Sequence, residues 1–144
     1  MERLLDNRAF VACFVAWLLA QSTKLLIDLV RERRFNPRSL VTAGGMPSAH
    51  SAIVVALATR VGLDTGLDST VFALAAIFAA VVMYDAAGVR RAVSIQARIL
   101  NRMLTEMMEA QRFNEKRLRE LLGHTPFEVF VGGLLGALAA IGLG

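Results

Sequence analysis

The sequence predicts an all-α integral membrane bundle of about four membrane helices, with an amphipathic helical segment on the cytoplasmic side. Three observations predict it. Hydrophobic residues make up 56% of the 144 and charged residues 19%, with a mean hydropathy of +0.53, so the charges must be segregated from the apolar runs. Those runs approach the roughly 20 residues that a bilayer crossing needs. Bases crowd the segments after the first and third runs and are nearly absent from the turn after the second, which is the asymmetry that orients membrane proteins.

The first apolar segment covers about Ala9–Val30 and turns polar after Ala20. Arg3 and Arg8 before it loosely imitate a signal peptide, but Glu2 and Asp6 cancel their charge and Leu18 fits a cleavage site poorly, so the run reads as the start of a membrane helix. The second, about Ser51–Val61, is short and crosses only if the Met46–His50 turn joins it or the helix sits low in the bilayer. The third covers about Ser69–Ala87 and the fourth about Phe127–Leu143. Gly62–Asp68 reads as the turn between the second and third, with Asp64 and Asp68 and no base; Arg60 is the one base near that end.

Arg31, Arg33, Arg34 and Arg38 follow the first segment, and Arg90, Arg91, Arg98, Arg102, Arg112, Lys116, Arg117 and Arg119 lie between the third and fourth. With four alternating spans both basic segments share one side, which the positive-inside rule makes cytoplasmic. Val89–Leu122 reads as helix, because Val93, Ala97, Leu100, Leu104 and Met107 recur at three- and four-residue steps. It is too polar to cross, so residues 1–144 form one membrane-embedded domain with 88–123 as a cytoplasmic helical insertion that packs on the bundle or the bilayer surface. Net charge is +4 and pI about 10.2. Beside such apolar runs, that balance points to anionic lipid or an anionic substrate and not to nucleic acid. Cys13, the single cysteine, reads as a small buried hydrophobe.

Four polar clusters fall at the same membrane face under this topology. Gln21, Lys24, Asp28 and Arg31 share one helical stripe by their spacing, and ionisable residues at membrane depth usually face a protein interior or a wet cavity. Gly44–Ser51 opens the second span. Its glycines permit a tight turn, Ser48 is an N-cap and His50 lies in the first helical turn, where free N–H groups attract phosphate. Asp85 with Arg90 and Arg91 closes the third span, and arginine's planar fork matches two phosphate oxygens. Before the fourth, Thr125, Pro126 and Glu128 form a capping box, which leaves His124 unexplained. Structural readings compete at each cluster: a snorkelling Lys24–Asp28 pair, an ordinary capped helix, a positive-inside stop signal. Zinc ligation is the weaker reading, since no cysteine partner or close histidine pair exists.

At Gly44-Gly45-Met46-Pro47-Ser48-Ala49-His50-Ser51-Ala52, Met83-Tyr84-Asp85-Ala86-Ala87-Gly88-Val89-Arg90-Arg91 and Gly123-His124-Thr125-Pro126-Phe127-Glu128-Val129 the chain resembles the type 2 phosphatidic acid phosphatase and vanadium-dependent haloperoxidase superfamily. Within it, the chain is most similar to the divergent branch of acid phosphatase/vanadium-dependent haloperoxidase-related proteins. Lys24 and Arg31 keep the spacing of the superfamily's first motif, with Glu32 in place of proline. Pro47-Ser48-Ala49-His50 carries alanine where the second has glycine. His124 and Glu128 keep the last spacing of the third, with Glu for Asp and Leu118 where its arginine should stand.

The resemblance implies a phosphoric monoester hydrolase acting on a lipid or polyprenyl phosphate. His124 would attack phosphorus, His50 would protonate the leaving alkoxide and Glu128 would orient His124. Lys24, Arg31, Ser48 and Arg90 or Arg91 would hold phosphate, with Gln21, Asp28, Asp85 and Gly45 supporting. No metal or cofactor is required by that route, and the expected location is the plasma or inner membrane with the active face cytoplasmic. Four spans make a thin shell around a polar site, which a homodimer would thicken. The competing expectation is a non-catalytic membrane protein binding anionic headgroups or a protein partner through its basic face. Vanadate-dependent oxidation is the least favoured of the three.

Overall fold

In the computed structural model, which describes residues 6–32, 45–108 and 124–143, the described chain forms helices α1 (Arg8–Glu32), α2 (Ala49–Thr65), α3 (Thr70–Ala87), α4 (Val89–Met108) and α5 (Pro126–Gly142). No strand occurs among the described residues. Local chemistry sets the helix starts. Asn7 Oδ1 accepts from Phe10 N at 3.1 Å at the head of α1, and Ser48 and Ser69 cap α2 and α3. Thr125, Pro126 and Glu128 form the complete capping box of α5.

Two boundaries differ from the sequence reading. Helix α2 is longer than Ser51–Val61, because the Ser48 cap admits His50 at one end and four further residues join at the other. Asp64 therefore belongs to the helix and not to a turn: the Arg60 guanidinium grips it as a fork, with Nε to Oδ2 at 2.9 Å and Nη2 to Oδ1 at 2.5 Å. The turn proper begins at Gly66, whose φ of 87° suits only glycine, and a Cβ there would lie 2.6 Å from Asp68 Oδ1. The amphipathic helix is described as far as Met108, and residues 109–123 of the expected insertion lie outside the described residues.

Helix α2 sits at the centre, packed against α5, α1 and α3. Its contact with α5 is backbone on backbone. A Cβ added to Gly132 would meet the Ser48 carbonyl oxygen at 2.3 Å, and one added to Gly136 would meet the Ala52 oxygen at 2.1 Å. Matching steps of four on both helices mean that α2 and α5 run parallel and in register. Ala12, Ala16 and Ala20 line α1 with the same period and close the core with Ala52, Ala56, Ala139 and Ala140. Cys13, half-buried, donates from Sγ to the Ile53 carbonyl at 3.6 Å. Small residues at four-residue spacing are how membrane helices approach closely when lipid offers no hydrophobic drive for their association.

Large side chains point outward. Leu74, Ile77, Phe78 and Val81 of α3 and Phe130, Leu134 and Leu138 of α5 are all exposed. Arg8–Val30 and the helical stretch Thr70–Thr105 are long and apolar enough to cross a membrane, while α5 is apolar but shorter.

The seam yields a direct test. Gly136→Ala should lower thermal stability in detergent by at least ~1–3 kcal/mol, the usual cost of overpacking, because backbone cannot yield as a side-chain tip can. Gly142→Ala, where a Cβ meets nothing within 4 Å, should leave the melting temperature unchanged; equal melting of both variants and the parent would contradict the packing described.

Candidate functional site at one end of the bundle

Parallel registration puts the starts of α2 and α5 side by side, and main-chain bonds fix the junction. Ser48 N donates to the Glu128 carbonyl at 3.1 Å, and His124 N donates to the Ala86 carbonyl at 3.2 Å. The first bond ties α2 to the first turn of α5; the second ties the residue before the α5 cap to the last turn of α3. His50 and His124 are thereby brought to a ring-centroid separation of 6.1 Å in an edge-to-face arrangement.

His124 is 5% exposed. Its Nδ1 lies 3.4 Å from Glu128 Oε2, an oxygen that also accepts from Thr125 N at 3.0 Å. An ionised carboxylate can only accept, so in the neutral ring the Glu128 contact favours the tautomer with its proton on Nδ1 and its lone pair on Nε2. One glutamate thus completes the helix cap and biases the imidazole's tautomer. Burial pushes the His124 pKa below its ordinary 6.5; Glu128 and a backbone hydrogen bond at Gly45 resist that fall, and the charge of Lys24 adds to it.

Lys24 continues the alanine stripe of α1, four residues beyond Ala20, and is buried in the same seam. It feels the charges of Asp28 and Glu128. Gly45, at φ 86°, makes room for it, since a Cβ there would come within 3.0 Å of Lys24 Cε. Gln21 and Asp28 are half-buried on the same helix, and Asp85 is half-buried near the end of α3.

Ser48 is fully buried. Its Oγ accepts from Ser51 N at 3.4 Å and from Ser51 Oγ at 3.0 Å, which occupies both lone pairs and leaves its own hydroxyl proton to donate. Ser51 is thus a contributor that the sequence reading quoted in the motif without assigning a role. Ala49 packs against the alanine core.

The structure therefore gathers His50, His124, Glu128, Lys24, Ser48 and Gly45 at one end of the bundle. The side chains of Arg31, Arg90 and Arg91 lie outside the described residues. The Ala86 carbonyl contact carries no sequence signal, because any residue offers a carbonyl.

The apolar outward faces and the two long apolar helices fit the class of helical membrane proteins, with two imidazoles paired at the buried polar end. Comparison then places it. A family model described as the divergent PAP2 family matches residues 5–139. The chain is also 40% identical over 149 residues to a protein of Bacillus subtilis (strain 168) named as the uncharacterized membrane protein YuiD, covering 96% of this chain and 94% of that one. No solved structure matches. The chain belongs to the divergent PAP2 family.

The site's charge balance is measurable. In an NMR titration in detergent, His124 should show a midpoint below 6.5, and Glu128→Gln should lower it further. Glutamine keeps the cap while removing the charge that favours imidazolium. Since the folded pKa lies below the unfolded one, the contribution of this residue to stability is present above about pH 6.5 and is lost as pH falls towards the folded value. A midpoint at or above 6.5 would overturn the burial account.

Proposed function

We propose that this chain is a membrane phosphatase that hydrolyses a lipid or polyprenyl phosphate through a phosphohistidine intermediate. The observation that carries the reading is the 6.1 Å separation of the His50 and His124 rings. A nucleophile within about 3–3.5 Å of phosphorus and an acid within about 3 Å of the leaving oxygen belong to a gap of that scale.

In this reading His124 attacks phosphorus through Nε2 while Glu128 stabilises the ring as it becomes positive. His50 gives a proton to the departing alkoxide. Water then attacks the phosphohistidine, with His50, now neutral, taking its proton, and inorganic phosphate leaves. The depressed pKa of His124 supports the nucleophile role, because a protonated ring has no lone pair to offer. Lys24 neutralises phosphoryl charge and Ser48 donates its hydroxyl proton to a phosphoryl oxygen. Arg31, with Arg90 or Arg91, supplies the remaining cations. Gln21, Asp28, Asp85 and Gly45 support them.

We further propose that α1, α2, α3 and α5 all cross the bilayer. Helix α2, at 17 residues and about 25 Å, is shorter than the roughly 30 Å hydrocarbon core. That length fits a helix whose first turn lies in a polar pocket below the headgroups. The basic loops favour the cytoplasmic side for that pocket, where a lipid substrate would keep its chains in the membrane and present its phosphate to the two rings. A homodimer would thicken the four-helix shell.

Purified protein in detergent, offered a panel of phosphatidate, phosphatidylglycerophosphate and prenyl phosphates, should release phosphate from at least one. His124→Ala should abolish release, and His50→Ala should reduce it by about 10²–10⁴-fold, the usual worth of a general acid. Full activity in both variants would sink the assignment. Salt-sensitive binding to anionic lipid with no turnover of any substrate would favour the non-catalytic alternative.

A further inference from the structure

Helix α4 has its faces arranged the wrong way round for a helix in water. A helix on the surface of a soluble protein turns its apolar stripe inward and its polar residues outward. Here the inward stripe is Ser94, Ala97 and Asn101, spaced three and four apart and all buried. The exposed face carries Val89, Val93, Ile95, Ile99, Leu100 and Met103, each between 42% and 54% exposed, with Gln96 the exposed polar residue among them. At about 100° per residue these six span roughly 160° of the helix circumference. Arg98 and Arg102, one turn apart and both exposed, run along one border of that apolar face, next to Ile95.

Surroundings less polar than the stripe packed inward account for this inversion. Helix α3 shows what they are, since its exposed residues Leu74, Ile77, Phe78 and Val81 belong to a helix apolar enough to cross a membrane. Only Gly88 separates the two, and its N–H still donates to the Tyr84 carbonyl at 2.8 Å. Helix α4 therefore starts at the level where α3 ends, beside the junction through which Ala86 holds His124.

We propose that α4 lies within the headgroup layer at the histidine-bearing end of the bundle and binds an anionic bilayer surface. Its six exposed apolar side chains enter the acyl boundary, and Arg98 and Arg102 meet anionic headgroups at the apolar–polar border. A broad apolar face edged by bases is the pattern by which helices lie in a membrane interface. The lipids concerned are bulk anionic lipids of the surrounding leaflet, distinct from any substrate, so the proposal stands whether or not the histidines catalyse.

Site-directed spin labelling of the full chain, with Cys13 replaced by serine, tests it. Single labels are placed at Ile99, Met103, Arg98 and Arg102, with Leu74 as an in-bilayer reference. Each protein is reconstituted into phosphatidylcholine vesicles with and without phosphatidylglycerol, and label accessibility to oxygen is compared with accessibility to a water-soluble nickel chelate. With phosphatidylglycerol, Ile99 and Met103 should resemble Leu74 in favouring oxygen, while Arg98 and Arg102 favour nickel. Without it, the Ile99 and Met103 labels should shift towards nickel. Three results would each overturn the proposal: nickel access at Ile99 and Met103 in both vesicles, labels there shielded from both reagents as in a contact with a second copy, or depths indifferent to phosphatidylglycerol. Loss of oxygen preference at Leu74 marks a misassembled preparation. In that event the same comparison is made with a label at Ile95, with the same outcomes decisive.

Discussion

The structure depends on the contact between two bare stretches of backbone. At Gly132 and Gly136 the α5 main chain lies so close to the Ser48 and Ala52 carbonyls that a single methyl group would not fit. In lipid, where apolar surface gains little by leaving one apolar neighbour for another, such close packing is a principal source of helix association. Its directional consequence matters as much as its strength. Because carbonyls of α2 nest against glycines of α5 at matching four-residue steps, neither helix can slide or rotate without a clash. The histidines inherit that precision, as His50 sits just inside the start of α2 and His124 just before the start of α5.

Each core stripe also leads to a polar group. On α1, Ala12, Ala16 and Ala20 are followed by buried Lys24; on α5, Gly136 and Gly132 lead back to Glu128. The same period that lets the helices meet aims these groups into the shared end. Packing and chemistry are therefore one pattern in this chain, and a single four-residue rhythm specifies both. Glu128 carries the union furthest, since its carboxylate caps its own helix and holds His124 while its main-chain carbonyl receives Ser48 N.

Helix existence was legible in the sequence because the signals are local. Ser48 and the Thr125-Pro126-x-Glu128 box mark two starts, and apolar run length marks the helices they open. Asp64 reads as part of a turn because an acidic residue beside glycines resembles loop composition; the Arg60 fork that holds it in the helix is a local i,i+4 pair whose side-chain geometry the spacing alone does not fix. The α5 seam is not distinguishable in the sequence although its spacing is visible, because glycines in an apolar run have the same hydropathy whether or not another backbone lies against them. That the two histidines lie at one end of the bundle agrees with the alternation of apolar runs, but their separation could not be read from it. It is set by Ser48 N to Glu128 O and His124 N to Ala86 O, main-chain bonds that no residue type announces. The inverted faces of α4 could be told from ordinary amphipathicity only once burial was known.

The parallel course of α2 and α5 has an electrostatic corollary. Every helix carries about half a positive charge at its beginning, from peptide dipoles aligned along its axis. Antiparallel neighbours cancel such fields; two helices that set out together from one level add theirs. In this bundle α1 and α3 end at the same level and offset part of that field, so what the two starts keep is local, confined to the first turns after Ser48 and Thr125. A negatively charged guest seated between those turns would be held by the scaffold as well as by side chains.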